Sequence, residues 1–329
     1  MKRDDAIELM ERRCWERNLA RSTVATYVAW FTRFCDWRML PGNRELGPQE
    51  FLSHLSGTER VNWRTQKQAL NALNFFWKHC LGRDLGTLGF RKGSNYQRTP
   101  TWLSLAECER LFSVMRGVVP KLQAQLMFGC GFRRREVLRL RIKDLDFDGG
   151  TIQVRASKGD KDRVVPMPRA LESELRDQVA RATALWEVDR RAGNPAPEIE
   201  ESLARKLGRK QMESRPWFWM FPARGLSIDP KSKIRRRHHV TERGLAKAVA
   251  TAARDSQQSK RVTPHTLRHS YAMAQVMAGT DIRTLATLMG HAHVETTEIY
   301  LHSVPQLALR VASPLDGPVG PANVVPLAA

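Results

Sequence analysis

The stretch LMGHAHVETTEIYLH (288–302) decides how the rest of the chain is read. It sets Gly290 beside His291 and places Tyr300 nine residues after that histidine. A glycine closing an apolar run stops a helix, so Gly290 is expected to end one helix and Tyr300 to lie on the next. Taken alone, Tyr300 reads as a half-buried aromatic. Taken as a reactive group it is a nucleophile, with His291 helping to hold what it attacks.

Upstream, PHTLRHSYAMAQVMAG (264–279) has Pro264 where a helix starts and Gly279 where it ends. His265 and Arg268 are then i and i+3 and share a face near the positive, N–H-rich helix end that suits a phosphate. His265 and His269 have zinc-ligand spacing, but the glutamate of HExxH is missing and no further carboxylate ligand stands nearby, so no metal is expected. GCGFRRREVLRLRIKDLD (129–146) sets Arg133 three residues before Glu136. That pair is either a surface ion pair or an arginine forked onto a phosphate with Glu136 fixing its orientation. Lys158 sits in a polar turn between two β-rich runs, as an ordinary surface ammonium or as one delivered into a DNA groove to protonate a leaving oxygen.

The bulk composition points the same way. The chain has 329 residues, 42% of them hydrophobic, enough for about two domains with real cores. Its 54 Lys and Arg against 34 Asp and Glu leave a net charge of +20, a field that favours a polyanion, and nucleic acid first. Its apolar runs are too short to span a bilayer, and the start, MKRDDAIELMERRC, lacks a signal-peptide core. Five scattered cysteines without CxxC spacing fit a reduced cytosol, as small buried apolar groups.

The periodicity predicts a mainly α chain with a small antiparallel β-sheet, an α+β fold. Residues 1–90 read as a helical N-terminal domain: 21–37 carries Val24, Tyr27, Val28, Phe31 and Phe34 at helical spacing, and 63–82 repeats the pattern. Arg21, Arg33, Arg64 and Lys67 on these helices are surface charges that could together line a duplex. Residues 91–103 form a linker, after which Ser104 and Glu107 make a capping box that opens a second domain, 104–312. Within it, 146–168 switches to strand period with turns at Gly149–Gly150 and Lys158–Asp160. The interval 190–240 is irregular and proline-broken, with one short helix at 199–210 and the aromatic cluster PWFWMF (216–221). Residues 313–329 form a loose tail.

The order Arg133, Lys158, His265, Arg268, His291, Tyr300, carried by GCGFRRRE, SKGDKDR, HTLRHS and LMGHAHVETTEIYLH, resembles the tyrosine recombinase family over nearly the whole chain. The segment ESLARKLGRK with PWFWMFPARGLSIDPKSKIRRRHHV (216–240), and SPLD (313–316), look like the integron integrase subgroup. Phe132, where the family usually has Leu or Met, and the second and third arginines of RRR depart from its pattern. The resemblance implies two domains clamping DNA, a monomer when free and a homotetramer in the synapse, with the C-terminal stretch 305–312 docking on a neighbour. It implies a bacterial, cytoplasmic enzyme, nucleoid-associated when bound, that inserts and excises gene cassettes. In that reaction Tyr300 forms a 3′-phosphotyrosine and frees a 5′-hydroxyl. Arg133 and Arg268 stabilise charge on the phosphate, Lys158 is the general acid, His265 assists proton transfer and His291 donates to the phosphate. No cofactor is needed, because the ester keeps the bond energy. The substrates implied are duplex and folded single-stranded sites, whose protruding bases would stack on Trp217, Trp219, His238 and His239. Arg235, Arg236 and Arg237, with Lys161 and Arg163, would touch phosphates. The alternatives are a phage or Xer-type recombinase on duplex sites, a type IB topoisomerase, or a non-catalytic DNA-binding relative.

Overall fold

The computed structural model describes residues 2–95, 99–155, 162–199, 201–229 and 232–301. The chain divides into two compact units, Met1–Arg98 and Thr99–Ala329, and the division falls inside the polar, basic segment 91–103.

The first unit contains α1 (Arg3–Glu16), α2 (Arg21–Met39), α3 (Pro48–Gly57) and α4 (Trp63–Cys80). The apolar spacing of α2 buries Val24, Phe31, Phe34 and Trp37, with Tyr27 and Val28 half-buried at the margin. Phe31 stacks on Phe76 of α4 with ring centroids 3.9 Å apart. Asn62 caps α4 by accepting the Thr65 N–H at 2.9 Å, satisfying a donor that the helix start would leave unpaired. Buried Gln66 donates to the Leu52 and Arg91 carbonyls and accepts from the Gly93 N–H, all at 2.8 Å, so segment 91–93 is tied to this unit. Arg21, Arg33, Arg64 and Lys67 are all exposed.

The second unit opens with α5 (Leu105–Val114). Its capping box forms as expected: the Ser104 N–H donates to Glu107 at 2.7 Å, and the Glu107 N–H donates to the Ser104 hydroxyl at 3.3 Å. Then come α6 (Val118–Cys130) and the short α7 (Arg134–Leu138). A three-stranded antiparallel sheet follows, β1 (Leu145–Asp146), β2 (Thr151–Val154) and β3 (Arg163–Pro166), in that order across the sheet. Next are α8 (Glu172–Arg191), α9 (Glu201–Met212), a hairpin of β4 (Pro222–Ile228) and β5 (Arg235–His239), then α10 (Glu242–Asp255), α11 (Pro264–Met277), α12 (Ile282–Met289) and α13 (Glu295–Glu298). Leu111, Leu126, Met127, Phe132, Val137 and Leu267 lie in the centre of its core. Phe132 is fully buried, so the departure from the family's usual residue is absorbed by packing.

Two expectations are corrected. The interval 190–240 is not irregular: α9 runs to Met212, broken at Gly208 (φ 70°), and β4 pairs with β5 through a register shift between Pro222 and Leu226. A strand reading RRRHH shows no polar–apolar alternation, so period gave no sign of it. Tyr300 does not lie on a helix either, because α13 ends at Glu298 and Tyr300 occupies the turn beyond it.

The five cysteines are free, and burial pushes the Cys108 and Cys130 thiols up to about 12, so they behave as inert apolar groups. No described helix is long and apolar enough to cross a membrane.

Candidate active site

The pocket is built where the ends of α6, α11 and α12 meet. Helix α6 stops at Gly131, whose φ of 65° and whose distance from the Tyr271 ring exclude a side chain: a Cβ there would lie 2.5 Å from Cδ1. The reversal places Arg133 at the N-cap of α7. Its backbone N–H donates to Glu136 Oε2 at 2.8 Å and its Nη1 to Oε1 at 2.9 Å. Glu136 is itself buried and takes a forked pair from Arg163: Nη1 to Oε1 at 2.9 Å and Nη2 to Oε2 at 2.7 Å. Arg268 Nη1 stands 3.9 Å from the same carboxylate. Burial works against ionisation of Glu136, yet the Arg163 hydrogen bonds and the charges around it hold its pKa below the ordinary 4.5.

Three successive carbonyls at the end of α12 take the same three arginines. Leu288 O accepts from Arg163 Nε at 2.7 Å, Met289 O from Arg268 Nη2 at 2.6 Å, and Gly290 O from Arg133 Nη2 at 2.5 Å. These are carbonyls that a helix end leaves without intrahelical partners, and they carry the negative end of its dipole. Gly290 caps the helix at φ 63°, and a Cβ there would lie 2.7 Å from Arg163 Nη1. Arg268 also donates to Gly131 O at 2.6 Å. Burial first, then Arg133, lowers its pKa to about 10, so it stays charged at neutral pH.

His291 accepts from Arg268 Nη2 at 3.0 Å through Nε2, and its Nδ1–H donates to the Thr297 hydroxyl at 2.7 Å. Burial and the guanidinium groups of Arg268, Arg133 and Arg163 lower its pKa to about 4, which keeps it neutral. In this arrangement Nε2 is an acceptor, so donation to a phosphate requires Arg268 to turn away and a proton to sit on Nε2, with the Thr297 hydroxyl then donating to Nδ1 or the ring protonated. His265 is exposed, and the surrounding protein, then Arg268, Arg134 and Arg133, lower its pKa.

Tyr300 is 2% exposed, its ring packed with Tyr271, Met273, Val276, Leu285 and Met289. Its hydroxyl meets His269 Nδ1 at 2.7 Å. Burial pushes the phenol up to about 12, with Arg268 opposing. Sequence reasoning weighed His269 only as a metal ligand and missed this contact. The signal was the second histidine of HTLRHS, one helical turn from His265.

Of the sequence-derived set, Arg133, Glu136, His265, Arg268, His291 and Tyr300 are brought to this region. Lys158 and Lys161 lie outside the described residues. Arg163 is corrected from a DNA contact to a structural cation, since its guanidinium is buried and spent on Glu136 and Leu288 O. Alternation along β3 carries the clue, because Arg163 shares the inward face with Val165.

The insertion residues divide similarly. Trp219 is buried, with the Arg141 guanidinium 4.0 Å from its ring centroid and its Nε1–H donating to Arg237 O at 3.3 Å. Trp217 is buried too, with Lys143 Nζ 4.2 Å from its ring. Arg237 forks onto Asp189 at 2.6 and 2.7 Å and donates to the Ala223 and Arg224 carbonyls. These three are core residues of the insertion, and no free face remains on them for a base or phosphate. Arg235 is exposed, while Arg236, His238 and His239 are half-buried. His239 Nδ1–H donates to Val240 O at 2.7 Å, and burial lowers its pKa.

A cluster of guanidinium groups and imidazoles close to a buried tyrosine is suited to phosphoryl transfer to a hydroxyl. The chain belongs to the Phage integrase family, which matches residues 101–306; the N-terminal SAM-like domain of phage integrases matches residues 7–87. An integrase/recombinase of Escherichia coli is 40% identical over 298 residues, covering 89% of this chain and 88% of that one. The tyrosine recombinase XerA of Pyrococcus furiosus is 26% identical over 284 residues, covering 85% of this chain and 83% of the relative. Among solved structures, the XerH recombinase bound to a palindromic difH substrate, in a post-cleavage complex, matches with a TM-score of 0.61 at 20% identity, covering 92% of this chain and 82% of that one. The Tn1549 transposon integrase in complex with transposon right-end DNA matches with a TM-score of 0.61 at 16% identity, over 94% of this chain and 99% of that one. The chain is thus a site-specific tyrosine recombinase of the phage integrase and Xer type.

Two outcomes follow from the buried charges and rings. Replacing Glu136 by Gln strands three guanidinium groups and lowers stability by about 3–5 kcal/mol, read by thermal or denaturant unfolding at pH 7. Because the folded pKa of Glu136 is depressed, its contribution is present above the ordinary 4.5 and is lost as pH falls through the folded value, so the gap between wild type and Glu136→Gln should close in acid. Trp219→Ala should cost about 3–5 kcal/mol by cavity formation; a full loss of DNA affinity with unchanged melting would contradict its placement in the core.

Proposed function

We propose that the protein is an integron integrase, which inserts and excises gene cassettes through a 3′-phosphotyrosine formed by Tyr300. The observation that carries the chemistry is the buried Tyr300 hydroxyl held at 2.7 Å by His269, the neighbour of Arg268 on α11, with Arg268 in turn on His291 and sharing Glu136 with Arg133. Attack by the phenol oxygen on a backbone phosphate releases the 5′-hydroxyl, and the reverse attack reseals the strand, so the bond energy stays in the ester. Arg133 and Arg268 supply the positive charge that a metal supplies in other phosphoryl transfers. Their present carbonyl partners are neutral, and a phosphate oxygen that displaces one gains a charge-assisted bond. Lys158 is the leaving-group acid in this reading.

The integron assignment is supported by the insertion between α8 and α10. Phe218 packs there on α8, and Trp219 reaches β5 through Arg237 and His239, while the hairpin leaves Arg235 exposed, with Arg236, His238 and His239 half-buried beside it. Exposed Ile228 and Ile234 near its turn add apolar surface on which an unpaired base could stack. Four protomers assemble on two sites in this reading, with residues 305–312 docking between neighbours; those residues, and SPLD (313–316), lie outside the described residues.

A nicked suicide duplex tests the chemistry. Wild type should form a covalent adduct and Tyr300→Phe none, while Arg133→Ala and Arg268→Ala should slow adduct formation by about 100–1000-fold each. Cassette excision tests the subgroup: folded single-stranded sites with protruding bases should recombine better than the same sequences fully paired. Equal or better activity on the paired duplex would favour the phage or Xer-type reading.

A further inference from the structure

We propose that His269 is the group that takes the proton from the Tyr300 hydroxyl during strand cleavage and returns it during rejoining. The proposal rests on the reading of Tyr300 as the nucleophile. Its basis is geometric: His269 Nδ1 lies 2.7 Å from Tyr300 Oη. Among the described residues the hydroxyl has no other hydrogen-bond acceptor, and at 2% exposure the tyrosine is closed to water. The phenol therefore donates to Nδ1, which fixes the proton of the neutral imidazole on Nε2. His269 is only half-buried, so that second nitrogen offers a way out of a pocket that Tyr300 itself lacks. The His265 ring stands edge-on to His269 with centroids 5.5 Å apart, one place further from the phenol.

The need for such a group is clear from the phenol. With its pKa raised to about 12, free ionisation leaves on the order of one phenolate in 10⁵ at neutral pH. His269 is held neutral, and so able to accept, by burial first and then by His265 and Arg268 on its own helix, which bring its pKa to about 4. The other groups facing it are Tyr300 and His291. A DNA phosphate against Arg268 would add negative charge and raise His269 back toward its ordinary 6.5, so base strength rises when substrate arrives.

The step balances as follows. The Tyr300 Oη–phosphorus bond forms, the phosphorus–O5′ bond breaks, and the phenolic proton passes to His269 Nδ1. The departing 5′ oxygen takes a proton from a separate acid, an ammonium in the reading above. On rejoining, the 5′-hydroxyl returns its proton to that group as it attacks, and the leaving phenolate recovers its proton from His269.

The test is single-turnover adduct formation by the full chain on the nicked suicide duplex between pH 6 and 9, with duplex binding measured alongside. Wild type should be nearly flat above about pH 7 and fall only modestly toward pH 6 as His269 takes up a proton. His269→Ala should be slower by about 10²–10⁴-fold and should speed up about tenfold per pH unit, as the phenol then ionises unaided. His269→Asn, which offers an oxygen to the hydroxyl but cannot carry its proton, should be as slow and as steep, and added imidazole should restore part of the His269→Ala rate. A 5′-phosphorothiolate substrate, whose leaving group needs no acid, should leave His269→Ala slow. A wild-type rate and pH profile in His269→Asn would reduce the contact to positioning and overturn the proposal. So would rescue by the phosphorothiolate, or loss of duplex binding in both variants. An adduct formed by Tyr300→Phe would instead remove the nucleophile reading beneath it.

Discussion

One buried carboxylate organises the catalytic unit. Glu136 gathers Arg133, Arg163 and Arg268 around it, with Arg163 making the forked pair and the other two closing in at 2.9 and 3.9 Å. Guanidinium groups this close repel one another, and at low dielectric that repulsion would open the pocket without a counter-charge. The arrangement resolves the conflict by giving the roles to different residues. Arg163 makes the forked pair with Glu136, while Arg133 and Arg268 each also hold a neutral carbonyl at the end of α12 that an anion can replace. The positive pocket is thus stable before any phosphate arrives. Preorganised charge of this kind stabilises a transition state without reorganisation at the moment of reaction.

The same economy explains the state of Tyr300, the nucleophile proposed above. Tyr300 is packed among apolar side chains, and its hydroxyl is satisfied by a neutral histidine. A phenol so placed is unreactive toward solvent, and its ring orientation is set by the walls around it. In the proposed reaction, a phosphate joining the pocket would raise the phenol's reactivity, because that anion would change the field at both Arg268 and His269.

Much of this was legible in the residues. The spacing of HxxR, GH and Tyr set the order of the site, and helical period, capping boxes and glycine stops placed α2, α4, α5 and α11. What escaped had a common cause. Arg163, Arg237 and Trp219 are charged or aromatic residues in basic, proline-broken segments, and composition there reads as a binding surface. Their burial is decided by single long-range partners, Glu136, Asp189 and Arg141, that no local pattern announces. His269 escaped for the same reason, since its partner is 31 residues away, and its own spacing pointed to a metal instead. The β4–β5 hairpin was hidden by a strand made of cations and imidazoles.

The end of α12 has a further consequence. Three consecutive peptide oxygens, on residues 288, 289 and 290, each grip a different arginine, like adjacent teeth of a comb. Such a comb has a register. If the helix end rotated or frayed by one residue, all three cations would be re-paired together, and the pocket would lose its geometry as a whole. The arginines therefore work as one unit whose spacing is written in peptide units, and a disturbance anywhere along α12 reaches the pocket as a change in that spacing.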